Sequence, residues 1–271
     1  MLAERILVLA PHPDDEVVGA AAAIGRALAA GAEVSVLYLT TGVPAPEVLW
    51  PWQRAGHAAW VARRREEARA VAAELGVTPV VFHDWPTRTL KSHLAAALPA
   101  VVAAVRDTAA AVLWVPAYEG GHQDHDVCAW LAAQAAIAPR AAGHEIPVWE
   151  FAEYTYTGGR VRSQWFPGLC GVDGEDKADG RDVAYLELTD EEQATKRHLL
   201  SLYRSERRNL GHIKVARESF RLQAPYDWSK PPHAGVLFYQ RFQWVPFRHP
   251  RIDPTKPEDV CAALAAQKKP K

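Results

Sequence analysis

Two short runs concentrate side chains that bind metals and move protons: Pro11-His-Pro-Asp-Asp-Glu16 and His122-Gln-Asp-His-Asp126. In the first, His12 and Asp15 are three residues apart, a spacing that turns both toward one point where a strand gives way to a helix. Asp14 lies between them, and Pro13 stiffens the turn by holding His12 extended. In the second, His122 and His125 are again three apart and can divide their work, one on a metal and one beside it. His12, Asp15 and His125 make two imidazoles and one carboxylate, a set that suits Zn²⁺ with a fourth position left for water. Fe²⁺ takes the same ligands. Zinc brings the pKa of bound water from 15.7 to about 7. Asp14, uncoordinated beside the metal, is then expected to serve as general base. A protonated His122 is expected to donate to an oxyanion or a departing amine, with Asp124 orienting it and raising its pKa.

The surrounding chain predicts how these runs meet. Residues 5–10 read as a buried parallel strand that leads straight into the first run, and a helix follows over residues 16–30. Further apolar strands are expected at 33–39, 79–82, 111–115 and 146–151, alternating with helices at 58–75, 90–105 and 126–137. Five such alternations predict an α/β fold: a doubly wound, mostly parallel, Rossmann-like sheet with helices on both faces. Ligands of such sheets bind beyond the carboxyl ends of the strands. Both runs follow a strand, so both fall on that edge. Gly120 and Gly121, just before the second run, give the backbone conformations closed to other residues. Residues 158–181 predict a loop or extended hairpin, 183–188 a further strand, and 190–205 a helix capped by Thr189. From Pro254 onward the mix of Pro, Lys and Ala predicts a peripheral end. One domain over 1–271 is expected, with its core at about 4–206 and residues 207–271 packing on it or closing the site as an irregular extension.

The two runs resemble the signature motifs of the LmbE/PIG-L-like zinc N-deacetylases. That resemblance implies that His12, Asp15 and His125 bind zinc, that Asp14 is the base and that His122 stabilises the oxyanion. It also implies a substrate among N-acetylglucosamine conjugates, including glycosylphosphatidylinositol and low-molecular-weight thiol precursors. The likeness in element order runs from about residue 4 to 206. Residues 64–76 resemble the family's second helix, whose early arginine reaches the sugar; Arg64 is the nearest match, with Arg63 and Arg65 as rivals. Three places depart from the family pattern: Ala21 and Ala22 stand where two glycines are usual, Pro86-Thr87 replaces a Pro-Asp pair, and Tyr203-Arg-Ser-Glu206 replaces His-x-Ser-Gln. All lie on the substrate side of the site.

Composition narrows the partners. With 31 Lys and Arg against 32 Asp and Glu, the net charge of -1 gives no general attraction for nucleic acid or an anionic membrane. The longest apolar stretches are short, Ala-rich and flanked by charge, so no membrane span is expected. Three widely spaced cysteines, Cys128, Cys170 and Cys261, favour a reducing compartment, and a cytoplasmic location is expected. A small amino-sugar or glycoconjugate is the expected partner, and a homo-oligomer stays open. Two rival functions are an amidase for a larger acyl or peptidyl group, suggested by Trp50, Trp52 and Trp60, and a non-catalytic metabolite-binding module. The second lacks a glycine-rich phosphate turn after the first strand. The tryptophan loop can equally form a wall over the site or pack on the domain, and Arg64 can equally belong to a solvated helix face.

Overall fold

The computed structural model describes residues 1, 3–77, 80–141, 143–166, 183–211, 213–245 and 249–267. Strands β1 (Arg5–Ala10), β2 (Glu33–Tyr38), β3 (Val80–Phe82), β4 (Val112–Pro116) and β5 (Val148–Phe151) pair in parallel in the order 3-2-1-4-5. Two antiparallel strands, β9 (Arg217–Leu222) and then β8 (Val183–Glu187), extend the sheet beyond β5. A separate hairpin pairs β6 (Tyr154–Thr157) with β7 (Arg160–Ser163).

Alternation along β1 divides the core. Ile6, Val8 and Ala10 pack with α1 (Asp15–Ala29), α2 (His57–Leu75) and the late helix at Asp190–Leu202. Leu7 and Leu9 pack on the other face with α3 (Leu94–Asp107) and α4 (Gln123–Ala135). Both faces are covered, which is why the parallel strands read as unbroken apolar runs. The late helix is numbered α5; Thr189 caps it as expected, in a reciprocal box with Glu192.

Two expectations need correction. The end of the chain is not peripheral. Helix α6 (Pro257–Ala265) buries Val260, Cys261 and Leu264 in the core beside α4. Strand β9 is hidden in the sequence because its buried positions carry charge. Glu218 is fully buried, holds Lys196 Nζ at 2.6 Å and accepts the Ala22 and Ala23 amides at 3.0 and 2.9 Å. Arg221 holds Glu150 at 2.9 Å. A charged residue is tolerated at such depth when paired and hydrogen-bonded, so a central strand here reads as polar. Part of the expected 158–181 connection lies outside the described residues.

The strand order reverses between β1 and β4, whose neighbours then run outward in opposite directions. The crevice at that switch point is where doubly wound sheets bind ligands. His12 follows β1 and His122 follows β4.

Candidate active site

The first motif is held as a tight crossing from β1 to α1. Thr40 clamps it from β2's end, with its amide and hydroxyl both donating to the Pro11 carbonyl at 2.9 and 2.7 Å. The His12 amide donates to Asp15 Oδ2 at 2.7 Å, and the Asp14 amide to Glu16 Oε2 at 3.1 Å. Asp14 itself sits at φ +133°, a backbone conformation that few side chains adopt. Tyr203 donates to the other oxygen of Glu16. Burial lifts the Glu16 pKa to about 7, against the hydrogen bonds from Tyr203.

The second motif starts α4 three residues earlier than expected, making His122 the residue that caps the helix. The Asp124 amide donates to His122 Nδ1 at 3.0 Å. An imidazole nitrogen that accepts carries no proton, so the neutral ring bears its proton on Nε2. Burial, aided by nearby His12, holds the His122 pKa well below its ordinary value. The expected protonated His122 is therefore replaced by a neutral donor. Nor is Asp124 chiefly its partner: Asp124 Oδ2 lies 3.8 Å from His122 Nδ1 but 3.1 Å from His12 Nε2. Asp124 also accepts from the Arg88 and Leu90 amides at 2.6 and 3.2 Å and from the Thr87 hydroxyl at 3.0 Å. Burial opposes its charge, but His12 and these donors override it and keep Asp124 ionised.

Donor atoms of three residues converge across the two motifs. His12 Nδ1 is 3.1 Å from Asp15 Oδ2, His125 Nε2 is 3.3 Å from His12 Nδ1, and His125 Nε2 is 3.4 Å from Asp15 Oδ1. Donors about 2.1 Å from one tetrahedral zinc ion stand roughly 3.4 Å apart. The residues present therefore fit a divalent cation. His12, with His122 and His125, also forms a cluster in which one atom from each residue lies within 4.8 Å of the others. Without an ion, Asp15 and Asp124 overcome the effect of burial and lift the His12 pKa to about 10. A cation held by these residues would replace that proton as the centre of positive charge.

Arg64 emerges from α2 fully buried, not on a solvated face. It donates to the Pro13 carbonyl, lies 3.3 Å from Asp14 Oδ2 and 3.7 Å from Glu206 Oε1. Gly42 makes room for it, since a Cβ there would stand 2.7 Å from Arg64 Nη2. Burial raises the Asp14 pKa well above the usual carboxylate value, and Arg64 pulls against it.

A cavity of about 980 Å³ opens over these groups, lined by His12, Asp14, His122, Arg64, Trp60 and Phe238 among others. Of the three expected loop tryptophans, Trp60 lines it, while Trp52 is three-quarters exposed and stacks on Trp50 at 5.4 Å. His57 bonds the Pro44 carbonyl at 3.1 Å, and His83 and His93 stack on Trp85, so all three serve local structure; His212 lies outside the described residues. Sequence reasoning passed over Glu153, whose carboxylate is buried 4.0 Å from His125 Nδ1 with neither oxygen hydrogen-bonded. Its place just beyond β5, on the same sheet edge as both motifs, was the available signal.

The far wall belongs to the C-terminal segment. The Phe238 amide donates to the Gly120 carbonyl at 2.9 Å, and a Cβ on Gly120, at φ +69°, would stand 2.7 Å from Leu237 Cδ2. Gly120→Ala is accordingly expected to cost about 1–3 kcal/mol, read as a lowered denaturation midpoint.

The fold recurs in known structures. A zinc-inhibited form of teicoplanin deacetylase Orf2 is 16% identical, with 81% of this chain and 98% of that one covered and a TM-score of 0.53. The N,N'-diacetylchitobiose deacetylase of Pyrococcus horikoshii is 17% identical, with 82% and 84% covered and a TM-score of 0.56. GalB of Pseudomonas putida, a 4-carboxy-2-hydroxymuconate hydratase, is 21% identical, with 83% and 98% covered and a TM-score of 0.52. Likenesses this distant establish the fold alone, and one fold here serves two reaction types. No curated protein matches the chain. The family model described as PIG-L, GlcNAc-PI de-N-acetylase, matches residues 7–136, a span that contains both motifs and every residue of the converging triad. Over that span, which is 130 of the 271 residues, the chain is similar to the PIG-L family.

Proposed function

We propose that the chain is a zinc-dependent hydrolase that removes the N-acetyl group from an amino-sugar conjugate. The observation that carries this reading is the convergence of His12 Nδ1, His125 Nε2 and the two Asp15 oxygens, at 3.1 to 3.4 Å from one residue to the next, with Asp14 and His122 lining the same cavity as His12 and Asp15. Bound there, zinc supplies Lewis acidity for an amide carbonyl and acidifies water. Asp14, in reach of these donors but not one of them, takes the proton of the attacking water and later passes it to the departing amine. Arg64 keeps Asp14 in place, favours its charged form and borders the sugar. Neutral His122 offers its Nε2 proton to the oxygen on which negative charge develops. That donation needs no protonated imidazole, so the depressed His122 pKa suits the role. Asp124 acts through His12: by accepting at Nε2 it fixes the ring so that Nδ1 points to Asp15.

The cavity volume is near the upper end for small-molecule sites, which suits a conjugate better than a bare sugar. The test is acetate and amine release from N-acetylglucosamine and its conjugates, with long-chain acyl analogues alongside, before and after chelation. Loss of turnover on chelation and its return with zinc are expected; metal-independent turnover would sink the reading. Asp124→Asn is expected to weaken zinc binding about 10- to 100-fold, measured by competition with a chromogenic chelator.

A further inference from the structure

We infer that Arg241, carried by the C-terminal segment, is a specificity residue that binds an anionic group, a phosphate or a carboxylate, on the sugar conjugate. Its guanidinium carbon lies 3.8 Å from the Phe238 ring centre and 5.0 Å from that of Phe242, and the residue lines the same cavity as Asp14 and His122. The link to the triad is short. The Tyr154 ring is 5.8 Å from that of His125 and 4.7 Å from that of Phe238.

Arg241 combines this aromatic seat in the cavity with the lack of a counter-charge. Arg64 has Asp14, Arg26 has Glu192 and Arg221 has Glu150. Arg88 spends its donors on the carbonyls of Pro250, Arg251 and Ile252. Among the described residues, no carboxylate pairs with Arg241, and its buried Nε has no hydrogen-bond partner. Burial lowers its pKa, and the groups acting against this are Tyr156 and Tyr154 rather than an acid. Of the acids lining the cavity, Asp253 is bonded to Gln123 and the Thr255 amide, Glu206 to Arg64 and Asn209, and Glu153 lies beside His125, 4.0 Å from its Nδ1. Arg208 and Arg251 line the same cavity and add positive charge.

Stacking on Phe238 accounts for where the guanidinium sits. It leaves the planar edge free, and that edge matches two oxygens of a phosphate or carboxylate. A half-buried cation facing a cavity of reduced dielectric gains more from such a partner than an exposed one.

The inference rests on the deacetylase reading for the sugar portion, so its test reads binding, not turnover. Glucosamine, glucosamine 6-phosphate and muramic acid are titrated calorimetrically into the zinc-loaded chain and its Arg241→Met and Arg241→Lys variants. The unaltered chain is expected to bind at least one anionic sugar about 10- to 100-fold more tightly than glucosamine. Arg241→Met should erase that preference and leave glucosamine affinity unchanged, and Arg241→Lys, which keeps charge but not the fork, should keep part of it. Preference for the phosphate or for the carboxylate identifies the anion. Equal affinities in the unaltered chain, or a preference that survives Arg241→Met, would overturn the assignment. Acetate release from the N-acetylated sugars is followed separately: its absence beside an intact anion preference would count against the deacetylase reading alone.

Discussion

His125→Ala is expected to give a folded chain that retains no divalent cation and releases no acetate. The imidazole supplies one of three donors, and its Nε2 stands 3.3 and 3.4 Å from the other two. Two remaining ligands cannot hold zinc against water and buffer. If structural zinc sites bind with about 10–16 kcal/mol over four ligands, one ligand contributes on the order of 3 kcal/mol or more, at least about 100-fold in affinity. The helix itself should survive, because alanine is the best helix former and His122, not His125, provides the cap. Metal content after desalting, with circular dichroism as the control for folding, is the measurement. Stoichiometric zinc in the variant would remove His125 from the ligand set.

Asp14→Asn should separate proton transfer from metal binding. The amide keeps the shape of the carboxylate, and asparagine tolerates unusual backbone better than most residues, which matters at φ +133°. Zinc content should be unchanged, while kcat falls about 100- to 10,000-fold, the usual contribution of a positioned base. The pH profile gives a second readout. A base works only when ionised, so activity should decline as pH falls through the Asp14 pKa, which burial raises and Arg64 opposes. The residual activity of Asp14→Asn should lack that decline. Turnover within a few-fold of the unaltered chain, at full zinc occupancy, would assign the proton to another group.

The parallel half of the sheet was legible because its strands are buried on both faces and so appear as apolar runs between turn signals. Strand β9 was not, since Glu218, Ser219 and Arg221 occupy its interior positions and find partners far away in sequence, at Lys196 and Glu150. The converging triad could be read from spacing and strand ends. The division of labour around it could not. Whether Asp124 turns to His122, two residues away, or to His12, 112 residues away, depends on the way β1 and β4 lie side by side. Arg64 shows the same limit from the other direction: its neighbours Arg63 and Glu66 are exposed, and only the α2 packing angle sends this one guanidinium inward.

The two walls of the cavity come from opposite ends of the chain. His12, Asp15 and His125 all precede residue 126, whereas Phe238, Arg241 and Asp253 follow more than a hundred residues later. Synthesis proceeds from the amino end and folding can begin before it finishes. The half that carries the candidate ligands is thus available to a growing polypeptide well before the surface that would sort one sugar from another, and Gly120 is the latch on which that late arrival must settle.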